Sequence, residues 1–384
     1  MRVTIREVAR EAGVSVATVS RVLNGSGQAS PATRDRIREV AERLRYAPNE
    51  AARSLIRSSS RTLGVLLPDL HGEFFSELMR GIDQRARQDG FHLLVSNFHA
   101  DAREMEATLR AMRGRVDALI LMSPDVDTRD ILADVASGTA TVLLNATARK
   151  VPGSDGVTID NVGGARAMVR HLVRQGYERV AMIKGPERNH DSRERLRGYR
   201  AVLRAAGLPV LPDLEVSGDF TESSGYAAAQ QLLALNEWPR AIFAANDAMA
   251  VGALSALRDA GVRVPEDIAL AGFDDIPIAQ YLTPPLSSVH VAIDELGRRA
   301  TELAIRAAKR RLAEEDTRTA AGIGGRTTRR KPKLETLRTT LVVRSSCGAG
   351  LGRRARGDSR NNGRTHNAVR GKSPRDSSSQ EARA

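Results

Sequence analysis

The chain of 384 residues has a single cysteine, Cys347, and aromatic residues make up only 3% of it. One cysteine excludes an internal disulfide framework and favours a reducing compartment, so we expect a cytoplasmic protein. No charge-free apolar run approaches the roughly 18 residues that a membrane span needs. The charged start of the chain is also unlike a secretory signal. We therefore expect neither a secreted protein nor one with a membrane partner.

The sequence also lacks the common motifs of enzymes. A dehydrogenase would place Gly-x-Gly-x-x-Gly after its first strand, but the turn at Gly64–Gly72 does not contain it. There is no Walker-type loop, no His/Cys cluster with metal-ligand spacing and no Gly-x-Ser-x-Gly elbow. The histidines at 71, 92, 99 and 171 are scattered. We therefore expect no catalytic residue, no cofactor and no metal site.

Basic residues are concentrated at the two ends of the chain. The net charge is +13, of which residues 1–60 contribute +5 and residues 352–384 contribute +6. The body between them is nearly neutral, and with 41% hydrophobic residues overall it can bury a sizeable core. This distribution indicates a polyanion-binding end piece on a globular domain, with a solvated basic surface as the alternative.

The first sixty residues predict three short helices. Thr4–Glu7 is a capping box that opens the first helix, and Gly13 ends it. Ser15 caps a second helix, and a third begins at Ser30 and Pro31. Two helices joined by so tight a turn form a helix-turn-helix. The alternative is a helical hairpin from an enzyme.

In a helix-turn-helix the second helix enters the major groove of DNA. Val16 and Ala17 lie in its first turn, where small apolar side chains can contact thymine methyl groups. Ser20 and Arg21 follow one turn later, and arginine is the usual reader of guanine. Thr18 and the helix N-termini are placed for phosphates.

The stretch Thr4–Asn24 closely resembles the DNA-binding headpiece of the LacI/GalR family, and the resemblance continues through Tyr46–Leu55. It implies a hinge helix that folds only on the operator, with Leu55 as a wedge in the minor groove; the alternative for Leu55 is interdomain packing. An apolar wedge unstacks and kinks the duplex. The expected DNA-contacting residues are Thr4, Ser15, Val16, Ala17, Thr18, Ser20, Arg21, Asn24, Asn49, Arg53 and Leu55.

After a polar linker, apolar runs of strand length alternate with amphipathic helical stretches such as Phe75–Gln88 and Gly163–Arg174. This order predicts an α/β domain with parallel, doubly wound sheets, and its length favours two lobes with a cleft between them. The predicted strands are Leu63–Leu67, His92–Ser96, Ala118–Met122, Thr141–Leu144, Val180–Ile183, Ala241–Ala244 and Ile268–Ala271.

The same body resembles the periplasmic-binding-protein-like regulatory domain of the family over roughly residues 60–346, with Leu341–Ser346 as its closing strand. The other matching motifs are Phe74-Phe75, Val157–Asn161, Arg195–Tyr199, Gly218–Phe220, Ala245–Gly252 and Ala271–Asp275.

The resemblance implies a small-molecule effector, either a sugar or a nucleoside-like compound. An arginine and a carboxylate can bracket vicinal hydroxyls or a base edge, and aromatic faces can cover a ring. Three alternatives remain: Arg195 pairs only with Asp274, Asn246 is only a helix cap, or Phe220 belongs to the core. The implied effector-binding residues are Phe74, Phe75, Arg195, Phe220, Asn246 and Asp274.

Two parts of the chain depart from the family pattern. Residues 313–333 resemble a loop expansion before the last strand, and the loop His71–Glu73 differs from the family's usual sequence. After residue 346, Gly, Arg, Ser and Asn dominate, which predicts disorder. That segment has no leucine heptads, so we expect a homodimer without a tetramerising coiled coil.

The expected organisation is therefore a helical headpiece (1–47), a hinge helix with linker (48–60), a two-lobed ligand-binding and dimerisation domain (61–346) and a basic tail (347–384). The expected function is a ligand-responsive repressor that binds a palindromic double-stranded DNA operator as a homodimer. The alternatives are a small-molecule carrier with a vestigial headpiece, and a regulator controlled by a protein co-regulator.

Overall fold

The computed structural model of this chain describes residues 3–23, 29–46, 59–99, 101–123, 139–145, 154–321 and 332–349, with the side chains of 315–321 excepted. The predicted contacts Asn24, Asn49, Arg53 and Leu55 lie outside these ranges, as does the tail from residue 350. Among the described residues, no helix combines the length and the apolar character needed to cross a membrane.

The headpiece is a bundle of three helices around a small core. Gly13 ends the first helix with a φ of 62°, a left-handed conformation that glycine adopts without a steric cost. The Ser15 hydroxyl accepts the backbone N–H of Thr18 at 3.1 Å and so caps the second helix, as predicted. The fully buried side chains of Val8, Val19 and Ile37 join the helices. The helices are α1 (Ile5–Ala12), α2 (Val16–Leu23) and α3 (Pro31–Arg43).

The first lobe, called the N-lobe here, is a six-stranded parallel sheet with the order β11-β5-β4-β3-β1-β2. Its central strands are buried on both faces, which explains their continuous apolar sequence. Its strands are β1 (Thr62–Leu67), β2 (His92–Asn97), β3 (Ala118–Met122), β4 (Ala140–Leu144), β5 (Asp155–Ile159) and β11 (Leu334–Leu337), and its helices are α4 (Glu73–Gln88), α5 (Ala102–Met112) and α10 (Ile293–Ala321).

The second lobe, called the C-lobe here, has the strand order β12-β10-β9-β8-β6-β7, with only the β12 pairing antiparallel. Its strands are β6 (Val180–Lys184), β7 (Glu215–Ser217), β8 (Ala241–Ala244), β9 (Ala269–Asp274), β10 (Ser287–His290) and β12 (Thr340–Val342), and its helices are α6 (Asn161–Arg174), α7 (His190–Ala205), α8 (Glu222–Leu233) and α9 (Asp247–Asp259).

The chain passes between the lobes three times, after β5, after β10 and after β11. The carboxyl ends of the parallel strands in each lobe face the other lobe. This is seen from Asn145, directly after β4, which donates a hydrogen bond to Asp191 at the start of α7. The predicted α/β fold with two doubly wound lobes is therefore confirmed. The sheet edges between the lobes are the place where such folds bind ligands.

Several boundaries differ from the prediction. The predicted strand Ile268–Ala271 instead runs from Ala269 to Asp274 as β9, and the closing strand ends at Val342, before a 3₁₀ helix at Ser345–Cys347. Cys347 is fully buried, so the folded body continues past the expected boundary at 346. The supposed loop expansion at 313–333 begins as helix, because α10 continues to Ala321.

A close contact between α8 and α9 gives a test of the C-lobe packing. A Cβ atom on Gly252 would lie 1.8 Å from the backbone oxygen of Glu222. We expect Gly252→Ala to lower the free energy of unfolding by roughly 1–3 kcal/mol, because the helices must separate. The exposed Arg258 lies on the same helix, and Arg258→Ala should stay within about 0.5 kcal/mol of the parent in urea denaturation. Equal stability of both variants would contradict this packing.

Candidate functional site

The second helix of the headpiece presents most of its predicted reading residues to solvent. Val16, Ala17 and Arg21 are exposed, whereas Val19 between them is buried in the headpiece core. Ser20 is half-buried. This division leaves one face of α2 free to enter a groove while the opposite face holds the helix in place.

The N-termini of the first two helices bind their own polar side chains. The Thr4 backbone N–H donates to the Glu7 carboxylate at 2.7 Å, and this hydrogen bond holds the pKa of Glu7 below its usual range. The hydroxyls of Ser15 and Thr18 lie 2.9 Å apart. The capping glutamate is therefore fixed as the sequence predicts, and Ser15 and Thr18 form one hydroxyl pair at the start of α2.

Arg195 lies almost completely buried at the carboxyl ends of the C-lobe strands. Its Nε donates to Asn161 Oδ1 at 2.8 Å, and its Nη1 donates to the backbone oxygen of Ala245 at 2.5 Å. Its Nη2 lies 3.2 Å from Asp274 Oδ1, and its guanidinium carbon lies 3.8 Å from the centre of the Phe273 ring. The guanidinium is thus held in one orientation by β8, β9 and the start of α6.

Asp274 ends β9 and is the carboxylate partner of that arginine. Its φ of 109° lies in a region that non-glycine residues rarely adopt, so its backbone is strained next to the cleft. Burial raises the pKa of Asp274 to about 6, while Arg195 acts in the opposite direction. Within the described structure, its Oδ1 atom accepts no hydrogen bond of good geometry. The Arg195 guanidinium faces this oxygen, which therefore belongs to the ion pair.

Asp191 joins the two lobes, and sequence reasoning missed it. It accepts hydrogen bonds of 2.9 Å from Asn145, which follows β4 of the N-lobe, and from Asn161, which opens α6. Burial raises the pKa of Asp191, and the nearby Arg195 partly opposes the shift. Asn145 Oδ1 and Ser123 Oγ, after β4 and β3, are buried and accept no hydrogen bond from the described residues. Ser123 and Asn145 directly follow predicted strands, and this position was the sequence signal that could have identified them.

Asp247, in the first turn of α9, is a third buried carboxylate of the C-lobe. It accepts the backbone N–H of Ile276 at 2.9 Å and the hydroxyl of Ser288 at 2.6 Å. Burial raises its pKa well above the ordinary value, and the charge of Asp274 adds to the shift. Asp247 therefore ties α9 to β10 and to the loop that follows Asp274.

The remaining predicted effector residues lie around this cluster. Asn246 caps α9 by accepting the Met249 N–H at 3.0 Å, and its amide donates to the Phe220 backbone oxygen at 3.0 Å. Phe220 is half-buried and has a φ of 74°. Phe74 and Phe75 form an edge-to-face pair with ring centres 5.4 Å apart at the start of α4. The structure thus joins Arg195 to Asp274 and Asn246 to Phe220, and it places the phenylalanine pair on the N-lobe.

Comparisons with known proteins agree with both halves of this architecture. Residues 4–49 match the family model of bacterial regulatory proteins of the lacI family, and residues 169–347 match that of the periplasmic binding protein-like domain. The ribose operon repressor of Escherichia coli is 37% identical over 305 residues, which are 79% of this chain and 92% of that protein. The chain belongs to the LacI family of regulators.

Other LacI-family proteins show the same relationship. GalS of Salmonella typhimurium is 38% identical over 80% of this chain and 90% of its own length. The structure of the lac repressor dimer bound to operator and an anti-inducer superposes with a TM-score of 0.76 at 28% identity, over 90% of this chain and 99% of that one. A complex of the regulator CelR with cellobiose superposes with a TM-score of 0.65 at 33% identity, over 90% of this chain and 100% of that one. This LacI-family chain is a DNA-binding transcriptional regulator and not an enzyme.

The ion pair at the centre of the cleft can be tested by a double-mutant cycle. Arg195→Met leaves the buried Asp274 without its cation and should lower the free energy of unfolding by about 3–5 kcal/mol. Adding Asp274→Asn should recover part of that loss, because the uncompensated charge is removed. Chemical denaturation of the parent, both single variants and the double variant measures the coupling. Additive losses would show that the pair contributes no interaction.

The raised pKa of Asp274 predicts a pH-dependent stability. With a pKa of about 6 in the folded chain and an ordinary value of 3.8, Asp274 binds more protons when folded between about pH 4 and 6. The contribution of Asp274 to the free energy of unfolding should therefore fall as the pH rises through that window and stay constant above it. The difference in unfolding free energy between the parent and Asp274→Asn should change between pH 4 and 6, with Asp213→Asn as an exposed control. A constant difference would contradict the assignment.

Proposed function

We propose that this regulator is a repressor that acts in the cytoplasm, binds a palindromic operator as a dimer and responds to a small molecule in the interlobe cleft. The observation that carries the proposal is the buried polar cluster between the lobes. It contains groups from both lobes, namely Asn145 from one and Asp191, Arg195 and Asp274 from the other. A molecule that binds these groups must act on the angle between the lobes.

The proposed mechanism couples that angle to the hinge that precedes the N-lobe. Effector binding favours one lobe arrangement, and the arrangement sets whether the two hinge segments of a dimer can meet on the operator. Effector and operator must then alter each other's affinity reciprocally, with a typical coupling of about 1–3 kcal/mol. The exposed face of α2 supports a working headpiece over a carrier with a vestigial one.

The charges of the cleft favour a neutral, hydroxyl-rich effector. Among the described residues, the one buried cation of the cleft, Arg195, already pairs with Asp274, and Asp191 and Asp247 add two further buried carboxyl groups. The buried Asn145 Oδ1, which accepts no hydrogen bond from the described residues, favours a ligand that donates one. A sugar or nucleoside supplies hydroxyl donors without a negative charge, whereas a phosphorylated sugar would meet the carboxylates. The ribose operon repressor and the CelR-cellobiose complex, named for sugars, are relatives of this chain.

Exposed apolar side chains indicate the dimer face. Leu94 and Val95 are each 37% exposed on β2, an edge strand of the N-lobe sheet, and Tyr281 is 73% exposed on the C-lobe. The backbone N–H of Ile278 donates to Glu73 at the start of α4, which brings the loop before Tyr281 to the N-lobe. We propose that the same surface of a second copy covers this stripe, because exposed apolar edge strands otherwise promote aggregation.

Operator selection tests the proposed function. The full chain is incubated with random double-stranded DNA at a stated salt concentration, and the enriched sites are retested with neutral sugars, nucleosides and sugar phosphates. We expect a palindrome whose binding is weakened by a neutral, hydroxyl-rich compound. Enrichment of no site, or a response only to sugar phosphates, would contradict the proposal.

The wedge role implied for Leu55 gives a prediction for the hinge. Leu55→Ala should weaken operator binding, because the smaller side chain unstacks the central base step less effectively. Effector affinity, measured by calorimetry on the free protein, should stay unchanged. Unchanged operator affinity in an electrophoretic mobility assay would refute the wedge role.

The proposed dimer face can be tested by placing charges on it. Leu94→Glu combined with Tyr281→Glu should shift the protein from dimer to monomer in sedimentation velocity at micromolar concentration, because two like charges would be buried per copy. Val343→Glu, at a side chain 43% exposed outside this stripe, is the control. A stable dimer of the double variant would place the interface elsewhere.

A further inference from the structure

One edge of the N-lobe lies on the side from which the headpiece departs. The hydroxyls of Ser59 and Ser60 donate to the carboxylate of Asp117, just before β3, at 2.6 and 2.9 Å. The chain therefore enters the lobe at the amino end of β1. All strands of this sheet are parallel, so their amino ends share this edge, opposite the cleft. We call it the headpiece-proximal edge, formed by residues 61, 113–117, 154–155, 306–314 and 332–333.

Helix α10 crosses the headpiece-proximal edge and continues beyond it. Lys309 lies 3.3 Å from Asp89, in the turn before β2, and Arg310 lies 3.4 Å from Asp155, at the start of β5. The helix continues for eleven residues past Arg310, which corresponds to about 16 Å at 1.5 Å per residue. The projection points to the side on which the headpiece is attached.

The length of the connection limits how far the headpiece can lie from this edge. Twelve residues separate Tyr46 from Ser59. Even a fully extended chain of that length reaches only about 45 Å. A duplex bound by the headpiece therefore stays near the edge at which the chain enters the N-lobe.

Cations dominate the headpiece-proximal edge. Arg61, Arg113 and Arg115 are exposed and have no carboxylate partner among the described residues. At the start of β5 the same edge has an open groove of about 490 Å³ whose lining contains a single acid, Asp155. The groove is lined by Arg306, Lys309, Arg310, Lys333, Leu303, Ala313 and that acid.

Most acids near the edge accept hydrogen bonds or form ion pairs, whereas Glu314 is exposed, and Glu315 and Asp316 follow it in sequence, so the end of α10 adds no positive charge. Asp117 accepts the hydrogen bonds of the linker, including the Arg61 backbone N–H at 2.9 Å. Asp155 is buried and accepts the Lys333 backbone N–H at 2.7 Å. Glu302 and Glu335 pair with Arg306 and Lys333 on the flanks. In sequence, residues 322–331 add four basic residues and no acid.

We propose that the headpiece-proximal edge is a second DNA contact, which binds backbone phosphates next to the headpiece without reading sequence. The inference rests on the proposed operator binding. Arginine and lysine side chains attract phosphates regardless of base identity, and the field of such an edge extends over about 10 Å at moderate salt. An acidic protein would fit the same charges, but the headpiece is attached at this edge, which favours the duplex as its occupant.

Salt dependence of DNA binding tests the proposal on the full chain. Two edge variants are compared with the parent, Arg113→Gln/Arg115→Gln and Arg306→Gln/Lys309→Gln. The control, Arg174→Gln/Arg204→Gln, removes two exposed arginines from the C-terminal ends of α6 and α7 in the C-lobe. Each protein is titrated against the selected operator and an unrelated duplex of equal length at several salt concentrations.

For each edge variant, the slope of log affinity against log salt should become shallower by about one to two, since each lost phosphate contact removes about 0.9. Affinity for both duplexes should fall by the same factor, so the preference for the operator is preserved. The control should keep the slope of the parent. Equal unfolding curves and effector affinity verify that the variants fold.

Unchanged slopes in both edge variants would overturn the proposal. Unchanged slopes together with weaker binding to polyglutamate would assign the edge to an acidic protein instead. Failure of the proposed function is separable, because a chain that selects no operator can still be titrated against the unrelated duplex. A shallower slope there supports the edge contact on its own.

Discussion

The buried guanidinium of Arg195 makes the interactions on which the polar cluster between the lobes depends. A charge removed from water is tolerated only when its donors are satisfied, and here Asn161, Ala245 and Asp274 satisfy them while Phe273 covers one face. These partners come from the ends of β8 and β9 and the start of α6. The arginine therefore fixes the relative positions of three chain segments at the edge where we propose that the effector binds.

The same network extends across the lobes through a short chain of contacts. Asn161 binds both Arg195 and Asp191, and Asp191 binds Asn145 of the N-lobe. A ligand that competes for any of these groups changes the balance between arrangements of the lobes. At the opposite edge of the N-lobe, the linker residues are hydrogen bonded to Asp117. The N-lobe thus lies between the cleft and the headpiece and can transmit a change from one to the other.

Much of this architecture follows from the sequence. The boundaries of β3 and β8 match the apolar runs to the residue, because strands buried on both faces have continuous apolar sequence. Four strands were missed: β5, β7, β10 and β11 are short, polar or at the sheet margin, so local periodicity does not reveal them. Arg195 and Asp274 came from a family motif, whereas Asp191 acts through contacts distant in sequence that no local pattern encodes.

The central claim is that the cleft and the headpiece are thermodynamically coupled. The most direct measurement is the effector dissociation constant of the full chain, by calorimetry, with and without saturating operator. We expect two different constants, separated by at least about fivefold and by the same factor by which saturating effector changes operator affinity. Identical effector constants with and without operator would contradict this claim.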